Sequence, residues 1–308
     1  MTICDCNLLH LSLHKARHIS IMQTAADIQA IAAPDIKKTK NKVRDYFKAI
    51  GAILPARVLR ETVNLGDLPR DTAQGIKELT RQFIRSEMRA VYERSIQDQG
   101  NRFFKKIQRS KKAIEFDEKR LAFSMANDRV KNYIENIMAD LAKNLNKKQY
   151  ANVRRILATA SEKDYSPATI QALLYDTINL TDMESQWVAN RFDRLIDAGY
   201  TDKQARDLAD KYAEKLQRIR AERIARTEIT RAYNYSNNEA VKQAVEEGEI
   251  LRAWKVWRTS QDDRVRDLHE PMEGQRVGID ESFTLPDGSR TEYPDDFNER
   301  CTIEYVME

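Results

Sequence analysis

Hydrophobic positions recur every three or four residues through most of this chain, from about Thr24 to Glu247. That spacing puts apolar side chains on one face of an α-helix. A clear example is the stripe formed by Leu208, Tyr212, Leu216 and Ile219. Strong helix formers surround this stripe, so the pattern predicts helix after helix over the whole region.

Capping residues and helix breakers predict where the individual helices begin and end. Thr181, Ser166 followed by Pro167, and Thr201 followed three residues later by Gln204 are typical helix starts. Prolines and glycines predict the breaks between helices. These residues are Pro34, Gly51, Pro55, Pro69, Gly100, Pro167 and Gly199.

After Gly248 the helical spacing gives way to the alternation that is typical of strands. The segments LRAWKVW and CTIEYV predict two strands, and FTLPDGSRTEY predicts a hairpin with its turn at Asp287-Gly288. The predicted fold class is therefore mainly α, with a long multi-helix N-terminal region followed by a small α+β C-terminal domain. We divide the chain into a leader of uncertain status (residues 1–21), a helical region (22–216) and an α+β domain (217–308).

Composition indicates a folded protein that does not enter a membrane. Of the 308 residues, 41% are hydrophobic and 32% are charged, which is usual for globular chains. No apolar run approaches the roughly 18 residues that a bilayer-spanning helix needs, so we expect no membrane partner. The three cysteines are too few for a disulfide framework, and this predicts folding in a reducing cytoplasm.

Charge is distributed unevenly along the chain. Residues 1–150 carry 29 Lys and Arg against 17 Asp and Glu, a net charge of +12, whereas residues 151–308 carry 23 against 31, a net charge of −8. A basic first half favours a polyanion or an acidic protein surface as its partner. Any contact with nucleic acid is therefore expected in the first half.

The most basic segment is NRFFKKIQRSKK, residues 101–112, which contains no acid. Most of its cations fall on one side of a helix. We call its six cations the basic stripe: Arg102, Lys105, Lys106, Arg109, Lys111 and Lys112. A stripe of this kind binds DNA phosphates without reading the base sequence. A solvated helix face is an equally good interpretation, and no nucleic-acid-binding fold signature accompanies the stripe.

Five potential zinc ligands lie near the N-terminus: Cys4, Cys6, His10, His14 and His18. The histidines are four residues apart and would share one face of a helix. Thiolates and imidazoles bind zinc, but this spacing matches no established zinc module. We interpret residues 1–21 as a frayed or non-native leader, because Met22 is itself a reasonable start.

The densest polar segment is WRTSQDDRVRDLHEPMEG, residues 257–274. Its chemically active side chains are Asp262, Asp263, Arg264, Arg266 and His269. Such a cluster is a catalytic site, a metal site or the hydrogen-bonded brace of a small domain. A hydrolase would need a nucleophile beside the histidine, and a nuclease would use carboxylates around Mg²⁺. No recognised hydrolase or metalloprotease motif accompanies the segment, so we favour the brace and predict that the chain is not an enzyme.

The order of short motifs resembles the phage Mu F-like family, the minor head or head-morphogenesis proteins of tailed bacteriophages. In that family an Ala-Arg-Thr-Glu helix precedes a Trp strand, an Asp-x-Arg-Val-Arg-x-x-His segment with a following Gly, a Phe strand and an ending built on Asn-Cys-Arg-Cys. The matching positions are Ala225, Arg226, Thr227, Glu228, Trp257, Asp263, Arg264, Val265, Arg266, His269, Gly274, Phe283 and Cys301. The resemblance covers about residues 220–306.

The resemblance also bears on the metal question. Some family members carry Cys-Pro-x-Cys where this chain has Gln-Asp-Asp-Arg, and only Cys301 of the terminal cysteine pair is present. A four-ligand zinc site cannot be assembled locally from what remains, so we expect neither a metal nor another cofactor. In its place we predict ion pairs, in which Arg264 and Arg266 bind neighbouring carboxylates and the histidine braces the loop. The carboxylates predicted for this role are Asp262 and Glu228.

The function implied by the resemblance is that of a minor capsid protein, present in low copy number inside the virion head or at the portal. Its implied partners are the portal protein, the coat or scaffold proteins, and double-stranded DNA bound without sequence specificity during assembly or ejection. Two alternatives stay open. One is a nuclease- or ADP-ribosyltransferase-type enzyme that uses the cluster around His269, and the other is a transient scaffolding or adaptor protein.

Overall fold

The computed structural model describes residues 19–112, 122–163, 165–296 and 300–308. Most of this length is α-helical, as the hydrophobic pattern predicts. The helices are α1 (Ala25–Ala52), α2 (Ala56–Leu65), α3 (Arg70–Gln82), α4 (Arg89–Lys112), α5 (Asp128–Lys163), α6 (Pro167–Thr177), α7 (Asp182–Asp197) and α8 (Asp202–Glu246). A π-helical turn, Phe83–Met88, joins α3 directly to α4.

The strands come from the two ends of the described chain. They are β1 (Ile19–Ile21), β2 (Ala253–Arg258), β3 (Arg276–Gly278), β4 (Phe283–Thr284), β5 (Arg290–Thr291) and β6 (Thr302–Met307). One antiparallel sheet has the order β1-β6-β2-β3, and β4 pairs with β5 in a hairpin. Both predicted strands and the hairpin with its Asp287-Gly288 turn are therefore confirmed.

The predicted helix starts carry the expected capping bonds. Thr201 Oγ1 accepts a hydrogen bond from the Gln204 backbone N–H at 3.4 Å, and Gln204 Oε1 accepts one from the Thr201 N–H at 3.1 Å. Ser166 and Thr181 each accept a backbone N–H in the same way at the start of α6 and α7. These bonds satisfy donors that the first turn of a helix leaves without a partner.

Two of the predicted breaks are wrong. Pro34 lies inside α1, and Gly100 lies inside α4. At Pro34 the helix lacks one backbone hydrogen bond, but burial of the neighbouring Ile28 and Ala32 holds α1 in place. Gly100 is needed for close packing, because a Cβ at this position would lie only 2.4 Å from the Phe123 ring.

The helix α8 connects the helical region to the C-terminal sheet without interruption. The boundary drawn between residues 216 and 217 therefore falls inside a continuous helix of 45 residues. Of its predicted apolar stripe, Leu216 is buried but Ile219 is 42% exposed. The buried face of its first half is formed by Ala205, Ala209, Ala213 and Leu216. Small buried side chains leave room for neighbouring helices to approach closely, and α8 contacts α1, α4, α6 and α7.

One cluster of buried side chains runs from the helices into the sheet. The ring of Phe103 on α4 packs edge-on against Tyr305 on β6, with 5.4 Å between centroids. Ile21 on β1 belongs to the same core, although it falls within the predicted leader. β1 pairs with β6 from Ile19↔Met307 to Ile21↔Tyr305, so both ends of the described chain meet in this sheet.

Candidate functional site

The polar segment that follows β2 folds back over the sheet and returns as β3. Its closure depends on Gly274, which has a φ of +76° and donates its N–H to the Trp257 carbonyl at 2.9 Å. A residue with a side chain is strained at that φ. The Trp257 N–H in turn donates to the Gln275 carbonyl at 2.9 Å. These two bonds fix both ends of the loop.

His269 lies at the centre of this loop and is only 2% exposed. Its ring packs edge-on against Trp257, with 5.5 Å between centroids and an interplanar angle of 71°. Trp257 also packs edge-on against Phe283, with 5.3 Å between centroids. The imidazole is thus held inside an aromatic core rather than presented to solvent.

Both nitrogens of His269 face polar groups. Nε2 lies 3.4 Å from Asp296 Oδ2, and Nδ1 lies 3.7 Å from Cys301 Sγ. The carboxylate only accepts hydrogen bonds, whereas the roles of Nδ1 and the thiol are set by which ring nitrogen carries the proton. One side chain therefore connects the loop to two points of the segment that leads into β6.

Asp262 forms a second connection between the loop and the segment before β6. Arg300 binds both of its carboxylate oxygens, at 2.5 and 2.6 Å. The Arg264 backbone N–H donates to the same carboxylate at 3.1 Å, and the Arg264 guanidinium lies 3.7 Å away. The Arg300 guanidinium holds the pKa of Asp262 well below its usual range, so this carboxylate is ionised under ordinary conditions.

Arg266 completes the arrangement by binding Asp296 at 3.0 Å, the same carboxylate that faces His269. Asp263 is exposed. We use the name His269 cluster for the residues that make these contacts, which are Trp257, Asp262, Arg266, His269, Asp296, Arg300 and Cys301. The ion pairs of Arg266 and Arg300 join residues that lie 30 or more positions apart in sequence, and this holds the loop against the end of the chain.

The predicted pairing of Glu228 needs correction. Glu228 is buried on α8, where it accepts a hydrogen bond from the Tyr92 hydroxyl and lies 3.7 Å from Arg231. It therefore faces α4 rather than Arg264 or Arg266. Burial raises the pKa of Glu228, and the Tyr92 hydroxyl and the Arg231 guanidinium stabilise its charge.

The two residues before Glu228 point in different directions. Thr227 is buried, whereas the Arg226 guanidinium binds Glu222 at 3.1 Å and lines a cavity together with Asp262, Arg264 and Arg300. The motif around Arg226 therefore contributes one cation next to the loop and two side chains to the interior.

Sequence reasoning missed Arg300 and Asp296, although they supply the main ion pairs of the cluster. Arg300 directly precedes Cys301, and Asp296 follows another acid after Pro294. The only sequence signal for these ion pairs is the pair of acids after Pro294, which lies shortly before Arg300 and the terminal strand. Local spacing alone does not say which of several carboxylates an arginine will reach.

The described side chains around His269 do not converge on one point where a metal could bind. Cys301 and Asp296 face opposite nitrogens of the ring, so they cannot share a metal ion with the same nitrogen. Among the residues that the structure describes, no group of three or more His, Cys, Asp and Glu side chains is arranged to hold a metal. The N-terminal candidates Cys4, Cys6, His10, His14 and His18 lie outside the described residues.

The basic stripe lies on the outer face of α4. Arg102, Lys105 and Arg109 are exposed and Lys106 is half-buried, whereas the intervening Phe103, Phe104 and Ile107 are buried. The helix is therefore anchored by its apolar face while it presents cations to solvent. Lys111 and Lys112 belong to the last turn of α4, and their side chains lie outside the described part of the chain.

Comparison with known families assigns the chain. The family model described as phage Mu protein F-like protein matches residues 138–304, which is more than half of the chain. The chain belongs to the phage Mu protein F-like family. The match begins in α5, well before the motifs near residue 220, and membership indicates a role in phage head morphogenesis. The chain matches no curated protein and no solved structure.

The length and apolar content of the helices bear on whether any of them could span a membrane. Throughout the described ranges, none combines the length and the apolar content that crossing a bilayer requires. The long helices α5 and α8 instead carry charged residues at frequent intervals between their apolar positions.

Proposed function

We propose that this chain is a minor capsid protein of a tailed bacteriophage. In this proposal it is present in low copy number in the head interior or at the portal, and it binds the portal protein or the coat and scaffold proteins during assembly. Membership of the phage Mu protein F-like family supports the assignment to the head. The basic stripe supports an added contact with packaged DNA, because its exposed cations can neutralise phosphates.

The observation that supports a structural rather than a catalytic role is the burial of the centre of the His269 cluster. His269 and Cys301 are 2% and 3% exposed, and both ring nitrogens of His269 face neighbouring side chains. The adjacent cavity is lined by Asp262, Arg264 and Arg300 but by neither His269 nor Cys301. A substrate would have to displace the aromatic packing before it reached the imidazole.

One feature of the His269 cluster favours the enzyme alternative. A thiol 3.7 Å from one imidazole nitrogen, with a carboxylate at the other nitrogen, is the order of groups that activates a nucleophilic cysteine. Under this alternative Cys301, rather than a metal-bound water, would attack the substrate. Burial of both groups argues against it, since a reactive thiol is partly accessible.

The experiment that tests the proposal is a count of molecules in particles. Quantitative mass spectrometry of gradient-purified procapsids and finished virions, relative to the major coat protein, is expected to find a few copies in both. Copies in procapsids alone would identify a transient scaffolding or adaptor protein instead. Absence from both would contradict a structural role, and the His269 cluster would then be assayed for turnover.

A further inference from the structure

A cavity of about 880 Å³ opens between α1, α8 and the loop that follows β2. One wall is the face of α1 that includes Gln29, Ala33 and Lys37, and another is formed by Glu222 and Arg226 on α8. The remaining wall comes from the loop and the start of β6. The His269 cluster therefore fixes the position of this wall without lining the cavity with its imidazole.

The cavity lining carries more cations than carboxylates. Among the described residues that line it, the cations are Lys37, Lys40, Arg226, Arg258, Arg264 and Arg300, and the carboxylates are Glu222 and Asp262. Two more carboxylates, Glu273 and Glu304, bind Arg258 from behind the wall. In the described part of the chain, six lining cations thus face four carboxylates, an excess of two positive charges in a recess where water does not fully screen them.

The two lining carboxylates hold the cations in position. Glu222 bridges Lys40 at 2.8 Å and Arg226 at 3.1 Å. On the opposite wall, Asp262 binds Arg300 through both carboxylate oxygens, and the Arg264 guanidinium lies 3.7 Å from it. Each carboxylate is shared by two cations, so the walls are pre-organised and remain able to attract a further anion.

We propose that this cavity binds an acidic segment of a partner protein through its Asp and Glu side chains. The cations already bind carboxylates in this geometry, so an incoming carboxylate meets groups arranged for it. A DNA duplex fits less well, because it presents its phosphates on a convex cylinder and the cations lie in a recess between three elements. The inference rests on the proposed function in one respect, because the head-assembly role identifies the proteins that would supply the acidic segment.

The test uses the full chain and a fluorescently labelled oligoglutamate peptide, with binding followed by anisotropy at low ionic strength. The cavity variant combines Lys37→Glu on α1 with Arg264→Glu on the loop, two side chains that are exposed at its edge. The matched control combines Lys38→Glu with Arg290→Glu, which are exposed and lie outside the cavity lining. Both variants change the net charge equally, so non-specific attraction falls equally in both.

We expect the cavity variant to bind the peptide roughly tenfold more weakly than the control variant, which corresponds to about 1.4 kcal/mol. Equal affinities of the two variants, or no binding by the unaltered chain, would overturn the proposal. Short duplex DNA serves as a competitor. If DNA displaces the peptide from the unaltered chain but not from the cavity variant, the cavity would be assigned to phosphates instead. Thermal melting of each variant checks folding, and a milder Lys37→Gln/Arg264→Gln variant is expected to give an intermediate loss.

Failure of this proposal is separate from failure of the proposed function. Peptide binding is measured on the purified chain and does not depend on where the chain resides. A chain that is present in virions but does not bind the peptide would keep its head-assembly role and lose the acidic-segment site. The reverse result would keep the site and require another source for the segment.

Discussion

The His269 cluster and the basic stripe both concentrate charge, but they treat it in opposite ways. In the cluster each charge has a partner supplied by a distant part of the chain, as Asp262 has in Arg300 and Arg266 in Asp296. On α4 the cations Lys105 and Arg109 extend into solvent from a helix whose apolar face is buried. Charge is therefore paired within the fold in one region and exposed to solvent in the other.

Substitutions in the two regions should affect different properties of the protein. Substitution inside the cluster removes packing or leaves a buried polar group without its partner, and the cost appears as lost stability. Lys105 and Arg109 of the stripe are exposed, so the effect of substituting these two residues should appear only when a polyanion is present. Variants of the two regions should therefore differ most in their free energy of unfolding.

The largest effect is expected from Trp257→Ala, because this side chain is 1% exposed and packs against both His269 and Phe283. Truncation of a buried tryptophan costs roughly 3–5 kcal/mol. The control is Trp187→Ala on α7, a tryptophan that is 45% exposed and should cost under about 1 kcal/mol. Urea denaturation measures both. Similar losses from the two variants would contradict the view that the aromatic core around His269 supports the fold.

The next effect is expected from His269→Ala, which leaves Cys301 and Asp296 without their shared partner. Loss of a buried hydrogen-bonding group costs roughly 1–3 kcal/mol, so the melting temperature should fall. Leu268→Ala, at a neighbouring side chain that is 41% exposed, provides the control. An unchanged melting temperature combined with lost turnover of a substrate would instead support the enzyme alternative.

Local rules predicted those parts of the fold that a short segment decides by itself. Alternation predicted β2, the Thr201–Gln204 pair predicted the start of α8, and Asp287-Gly288 predicted the turn between β4 and β5. The local rules were wrong where tertiary packing determines the structure. Gly100 breaks no helix because α4 needs a glycine against Phe123.

The same limit explains what was missed in the candidate site. The sequence predicted a brace around His269, and in the structure this histidine is buried among polar and aromatic side chains. It did not indicate Arg300 as the main partner of Asp262, since 38 positions separate them. Which carboxylate an arginine reaches depends on how the terminal strand returns to the sheet, and β6 is placed by pairing with β1 and β2.

Acid provides a weaker but selective perturbation of the cluster. Arg300 lowers the pKa of Asp262 in the folded state, so this pair contributes stability above the unfolded pKa of about 3.9. That contribution is lost as the pH falls through the lower, folded pKa. Lysine and arginine do not titrate in this range, so the basic stripe keeps its charge.

The measurement is the melting temperature from neutral pH to below pH ~4. Asp262→Asn should already lack this contribution at neutral pH and should lose less on acidification than the unaltered chain does. Asp263→Asn, at the adjacent exposed acid, is the matched control and should follow the unaltered chain. A control that flattens the acid response as much as Asp262→Asn does would assign the response to general charge rather than to the Arg300 pair.

The smallest effect on stability, and the only one expected on DNA, comes from reversing the stripe with Lys105→Glu/Arg109→Glu. Both side chains are exposed, so the free energy of unfolding should change by no more than about 0.5 kcal/mol. Binding to duplex DNA should weaken, and the slope of log K against log salt should shrink by roughly 1–2, since each lost phosphate contact removes about 0.9.

The control Lys211→Glu/Lys215→Glu has the same spacing and the same change in charge on the exposed face of α8. Because the two variants differ only in where the charge is reversed, equal salt slopes would show that net charge alone attracts DNA. A smaller slope for the α4 variant alone would make the stripe the DNA contact, with the His269 cluster left intact.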